Sequence, residues 1–187
     1  MVILRDTTRG NSLTLEIAPS CVSRAAEITM MRRPPLVLGF GNILLGDDGA
    51  GIRVIERLRR ELGSGGCDFI DAGTLSFTLL PYVEATDSLL VIDAAELAAR
   101  PGTVALYEGD TMDSFLMSSR RRTVHEVGLI DLLDMARLQD SLPARRALIC
   151  IQPEHVDWTE ILSSPVAGGL TVAVEEARTL LARWEAA

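Results

Sequence analysis

The sequence predicts an α/β fold: a single domain on a twisted, mostly parallel sheet with helices on both faces. Three observations predict it. Short β-rich apolar runs alternate with helical patterns from residue 36 onward. Hydrophobic residues make up 48% and aromatic residues only 4%, so the core must be aliphatic, as suits strands buried on both faces. The first apolar run, Leu36–Phe40, enters a glycine-rich turn and then a helical stripe of Ile52, Ile55 and Leu58, the strand–loop–helix opening of a doubly wound sheet.

Taken in order, the strands are predicted at Leu36–Phe40, 67–71, 88–93, 103–107 and 147–152, and the helices at 49–62, 76–85, 112–118, 126–138 and 169–185. Pro81 falls inside the second helical pattern and should shorten or kink it. Periodicity leaves the direction of the 103–107 strand open, including an edge strand that runs against the others. Leu170, Val174, Ala177 and Leu181 recur at helical spacing, which reads as a packing helix. Residues 1–35 differ from the rest: polar at the start, with one strand-like patch over 13–18 and Met30-Met31 just before Arg-Arg-Pro-Pro. They are read as a flexible N-terminal extension to a domain over 36–187, with a translation start at Met30 or Met31 as one explanation.

A chain of 187 residues supports a continuous core, burying roughly 70% of its extended surface. The formal net charge of −8 argues against nucleic acid or an anionic membrane as partner. No apolar run approaches the roughly 20 residues of a spanning helix, and the N-terminus lacks a secretory apolar segment. Cys21, Cys67 and Cys150 are too scattered for a thiolate metal knot and read as reduced cytoplasmic thiols. Cys67 and Cys150 fall in expected buried strands, where a thiol is inert.

Ligands of a parallel sheet bind outside the strand C-termini. Asp71 and Asp93 close two of the predicted strands, and Asp47 and Asp48 follow the first glycine loop. Each has a structural alternative. One of the adjacent pair, Asp47 by preference, is expected to cap the helix, and Asp71 can form a turn with its own backbone. Asp93 ends an aliphatic run, and a carboxylate there needs a partner. His125 lies in Thr123-Val124-His125-Glu126, a capping-box pattern that puts it in the first turn of a helix. The positive end of a helix favours neutral, metal-binding imidazole. His155, after the last strand, is a lesser candidate. Carboxylate plus imidazole suits nickel or zinc, but no HExxH motif or histidine pair at i, i+4 calls for a resident ion. A nucleotide fits poorly: the third glycine of the fingerprint is displaced, and no Lys-Ser or Lys-Thr follows. A helix N-terminus favours an anion by about 0.3–1 kcal/mol, whereas one like charge at roughly 4 Å opposes it by about 4 kcal/mol at an effective dielectric of about 20. No G-x-S-x-G motif supports serine chemistry. The glycines read as devices that bring backbone close to something.

The stretch GFGNILLGDDGAG, DAGT at 71–74, the strand ending in Asp93 and the helix start HEVGLIDLL at His125 together resemble the hydrogenase maturation proteases, from about residue 36 to the end. The IQPEHVDW segment is similar to the family's late strand and loop. The resemblance implies an aspartic-type endopeptidase that removes the C-terminal extension of a nickel-iron hydrogenase large-subunit precursor after nickel insertion. It places catalytic and metal-contacting roles on Asp48, Asp93 and His125, with Gly41, Asn42, Asp47 and Asp71 in support. Asn42 would fix the glycine loop, Asp71 would back the site, and the loop would admit the precursor's tail. No tightly bound cofactor is implied; nickel is recognised in the precursor. The expected enzyme is a cytoplasmic monomer with no nucleic-acid or membrane partner. A nickel-sensing module or chaperone without peptidase activity is the alternative.

Overall fold

The computed structural model describes residues 3–5, 12–14, 33–63, 66–74, 77–118 and 124–186, and only the backbone of 3–5, 12–14, 77 and 124–127. The chain divides into two units, Met1–Arg33 and Pro34–Ala187. In the first, β1 (Ile3–Arg5) pairs antiparallel with β2 (Ser12–Thr14). Apart from 33–35, the rest of the expected extension, including 15–18 of its strand-like patch, lies outside the described residues.

The second unit holds a five-stranded sheet: β3 (Leu36–Phe40), β4 (Asp68–Gly73), β5 (Ser88–Ala94), β6 (Val104–Glu108) and β7 (Arg145–Ile151). Their order is β4-β3-β5-β7-β6. β3, β4, β5 and β7 run parallel, while edge strand β6 runs antiparallel to β7, with Val104 opposite Ile151. Chain length explains the reversal. Residues 95–103 are too few for the dozen or more that a crossover needs. They turn back instead, held by Ala95 N–H on the Ile151 carbonyl at 3.0 Å and Gly102 N–H on the Gln152 carbonyl at 2.9 Å.

Helices α1 (Ala50–Leu62) and α5 (Ser164–Ala186) cover one sheet face; α2 (Leu80–Glu84), α3 (Asp110–Ser118) and α4 (Val124–Leu138) cover the other. The alternation of a strand divides β5 between them. Leu90 and Ile92 pack towards α1 and α5, Leu89 and Val91 towards α4, and all four are fully buried. Each such side chain contributes about 1.5–3 kcal/mol by leaving water.

Three elements differ from expectation, the first two for local reasons. The second helical pattern is a 3₁₀ turn (Phe77–Leu79) followed by short α2, with Pro81 in its first turn, where no N–H is required. The last helix begins at Ser164, not 169, because Ser163 Oγ accepts the Val166 N–H at 3.4 Å and Pro165 opens the first turn. Gly169 is then an interior packing glycine: a Cβ there would lie 2.6 Å from the Gly102 carbonyl oxygen. Cys67 sits before β4, not inside it, and is partly buried. Burial, with Glu185 and Asp68 nearby, pushes its thiol up to about 11.

Candidate active site

The glycine loop leaves β3 at Gly41, whose φ of 130° disfavours any side chain. Its N–H donates to the Gly73 carbonyl at 3.0 Å, tying the loop to the end of β4. A Cβ at Gly41 would lie 2.0 Å from the Asp48 carbonyl oxygen. At Gly51 a Cβ would stand 2.3 Å from the Ile92 carbonyl oxygen and 2.4 Å from that of Phe40. These glycines bring the protein's own backbone together, seating the start of α1 directly on β3 and β5. Asn42 sits between: its N–H donates to Asp48 Oδ2 at 2.8 Å, and its Oδ1 accepts the Leu44 N–H at 3.0 Å. Asp48 is thereby held half-buried on the 3₁₀ turn Gly46–Gly49, which leads into α1.

Asp47 corrects the capping expectation. Neither the 3₁₀ turn nor α1 has a side-chain cap. The fully buried Asp47 carboxylate instead points at a distant segment: Oδ1 accepts the Ser163 N–H at 2.7 Å, and Oδ2 accepts those of Glu154 at 2.9 Å and His155 at 3.3 Å. Burial raises its pKa, but these N–H groups and the Ser163 hydroxyl outweigh that and hold the carboxyl below its ordinary value. The irregular segment 153–163 is therefore pinned beside the glycine loop. Thr159 adds two bonds, donating to the Leu44 carbonyl at 3.0 Å and accepting from Gly46 N–H at 2.6 Å.

Asp93 is the penultimate residue of the central strand β5, only 3% exposed, with Oδ1 accepting the Ala94 N–H at 2.8 Å. Alternation puts it in the row of Leu89 and Val91, on the face that α4 covers. The 46–49 turn packs against β5, so Asp48 and Asp93 belong to one edge. α4 runs on through a short connection to the start of β7, so its opposite end, the first turn, lies towards the strand C-termini. Residue 125 has its backbone in that turn; its side chain lies outside the described residues, as does Thr123 of the expected capping box. Among the described residues, no three His, Cys, Asp or Glu side chains are grouped to hold a metal ion. Asp71, on edge strand β4, is exposed, and its Oδ1 accepts the Gly73 N–H at 2.9 Å. It thus shapes the turn that receives Gly41. His155 is exposed and contributes its backbone N–H to Asp47.

Two residues escaped sequence reasoning. Buried Gln152 accepts Leu97 N–H at 2.7 Å and donates to Glu96 Oε2 at 3.1 Å, bracing the loop after β5. Ser163 both binds Asp47 and caps α5. A polar residue closing an apolar strand before Pro153, and Ser-Ser-Pro before a helical pattern, were the available signals.

The chain matches the family model "Hydrogenase maturation protease" over residues 52–180. It is 34% identical to the hydrogenase expression/formation protein HupD of Rhodobacter capsulatus over 151 residues, covering 80% of this chain and 71% of that protein. It is 29% identical to the hydrogenase 2 maturation protease of Escherichia coli over 143 residues, 75% of this chain and 86% of that one. Among solved structures, the hydrogenase maturating endopeptidase HybD from E. coli superposes with a TM-score of 0.73 at 26% identity, covering 81% of this chain and 93% of HybD. The [NiFe] hydrogenase maturation protease HybD from Thermococcus kodakarensis gives 0.69 at 29% identity, covering 80% and 99%. By the family model, these relatives and the shared α/β fold, this chain belongs to the hydrogenase maturation protease family and is an endopeptidase.

Proposed function

We propose that this endopeptidase removes the C-terminal extension of a nickel-iron hydrogenase large-subunit precursor once that precursor carries nickel. The observation that carries the reading is the position of Asp93: a nearly buried carboxylate at the end of the central strand, on the face that α4 covers. Asp48, held by the Asn42 N–H, sits on the turn that packs against β5, and residue 125 has its backbone in the first turn of α4, which the reading needs at the same edge. Two carboxylates and one imidazole are an incomplete ligand set, suited to an ion already held by the substrate.

In this reading Asp48, Asp93 and His125 engage the precursor's nickel and hold the scissile peptide beside them. One of the two carboxylates accepts a proton from water as its oxygen adds to the peptide carbonyl carbon. The C–N bond breaks and the proton passes to the leaving nitrogen. The acids so used make the enzyme aspartic-type. We take it to work as a cytoplasmic monomer, a compartment supported by its sparse, scattered cysteines.

The test is incubation with nickel-loaded precursor, with mass spectrometry of both fragments. Nickel-loaded precursor should lose its extension and nickel-free precursor should stay whole. Equal cleavage of the two would remove nickel from the recognition step.

A further inference from the structure

Large apolar side chains left in water gather beside the site. Leu44 is 45% exposed, Val156 50%, Trp158 83% and Ile161 76%. All four sit on the two hydrogen-bonded segments around the aspartate pair, the glycine loop and 153–163. Leu45 and Thr159 form a parallel bridge between them, and buried Asp47 takes the N–H groups of Glu154, His155 and Ser163. Trp158 is therefore presented by backbone anchored on both sides, with little ordering left to do on binding. Exposed Glu154, Asp157 and Glu160 interleave with the apolar residues, and the chain carries no Lys or Arg from 147 to 177.

We propose that Leu44, Val156, Trp158 and Ile161 form an apolar docking ridge with an acidic rim, which engages an apolar, base-rimmed surface on the body of the large-subunit precursor. This rests on the function proposed above. Continuity argues for that occupant. The ridge shares its backbone with Asp48, so a protein whose peptide bond reaches Asp48 lies over Leu44 and the 153–163 segment. A preorganised tryptophan is the side chain that anchors such contacts, and the rim acids select a basic counterpart and speed the encounter.

The test compares steady-state processing of nickel-loaded precursor by the unsubstituted enzyme, a Trp158→Ser, Ile161→Ser double variant, and Leu138→Ser as control. Leu138 is 85% exposed at the far end of α4. Circular dichroism and melting temperature check that each variant folds. The double variant should raise KM at least tenfold with kcat within twofold, while the control keeps the wild-type KM. An unchanged KM in the double variant, or an equal rise in the control, overturns the ridge. So does sedimentation velocity showing that the double variant turns a dimer into a monomer, because the ridge then covers a second copy of the chain. Neutralising Glu154, Asp157 and Glu160 to their amides should slow association at least threefold at low salt; no slowing overturns the basic counterpart. If the unsubstituted enzyme leaves the precursor intact, the underlying function fails and the docking proposal falls with it.

Discussion

The two edges of the sheet satisfy their carboxylates in opposite ways. At the carboxyl edge, Asp47 is wholly enclosed, and its partners among the described residues are neutral: three backbone N–H groups and a hydroxyl. At the amino edge, Asp113 of α3 meets Arg146 of β7 side-on, Oδ1 accepting from Nε at 3.0 Å and Oδ2 from Nη2 at 2.7 Å, while Arg137 of α4 adds a bond at 3.1 Å. Dipoles solvate a charge without cancelling it, whereas guanidinium groups cancel it. The amino edge thus closes its charges into pairs. The carboxyl edge fixes its backbone and keeps the negative charge of Asp47 as a field beside the site, which favours an approaching cation or a basic surface.

Asp93→Asn should sharpen that contrast most. The substitution keeps volume and one acceptor for the Ala94 N–H but removes charge, so processing of nickel-loaded precursor should fall by about 10²–10⁴-fold. The melting temperature should change little. His125→Ala is expected to act alike. Either variant trimming at the wild-type rate in a fragment assay would break the assignment of catalysis to this edge.

Asp47→Asn comes next and moves the opposite quantity first. An amide offers one acceptor oxygen and turns an NH₂ group towards N–H donors, so at least one buried donor loses its partner, at a cost on the order of 2–3 kcal/mol. At about 2–4 °C per kcal/mol for a chain of this size, calorimetry resolves the loss. Segment 153–163 should loosen, seen as faster amide exchange at Glu154 and His155. A variant as stable as wild type would show that Asp47 is not what fixes this segment.

Asp47 also shows where sequence reasoning stops. The strand pattern was legible because buried apolar runs are local: β3 begins and ends where its composition says, and helix α1 starts one residue from its expected position. The partners of Asp47 lie more than a hundred residues away, and nothing local separates it from Asp48. A helix-capping preference consequently chose the wrong job for it. Asp71 and Asp93 each close an apolar run, and the sequence separates them only by their neighbours, a turn-forming Ala-Gly-Thr after Asp71 and Ala-Ala after Asp93. Sheet order separates them: β4 is an edge strand with an exposed acid, and β5 is central with a buried one. Gly51 looks like an ordinary helix position, and only the approach of the Ile92 and Phe40 carbonyls shows why no side chain fits.

The smallest expected effect tests the amino edge. Asp113→Asn removes the carboxylate that holds Arg146, whose side chain is only 12% exposed, and leaves it beside solvent-exposed Asp110. Because Asp113 is itself partly open to water, the loss should be about 1–2 kcal/mol, between a surface pair and a buried one. Processing should be unaffected, the reverse of Asp93→Asn. The pH dependence fixes the cause. Hydrogen bonds from Arg146 hold the Asp113 carboxyl below its ordinary value against the opposing effect of burial. A depressed carboxyl stabilises the folded chain above its unfolded pKa, about 3.9, and that contribution is lost as pH falls through the lower folded value. Denaturant titrations of wild type and variant should therefore differ most near pH 7 and converge below about pH 4. A gap that persists undiminished into acid would mean that packing, not charge pairing, holds α3 against β7.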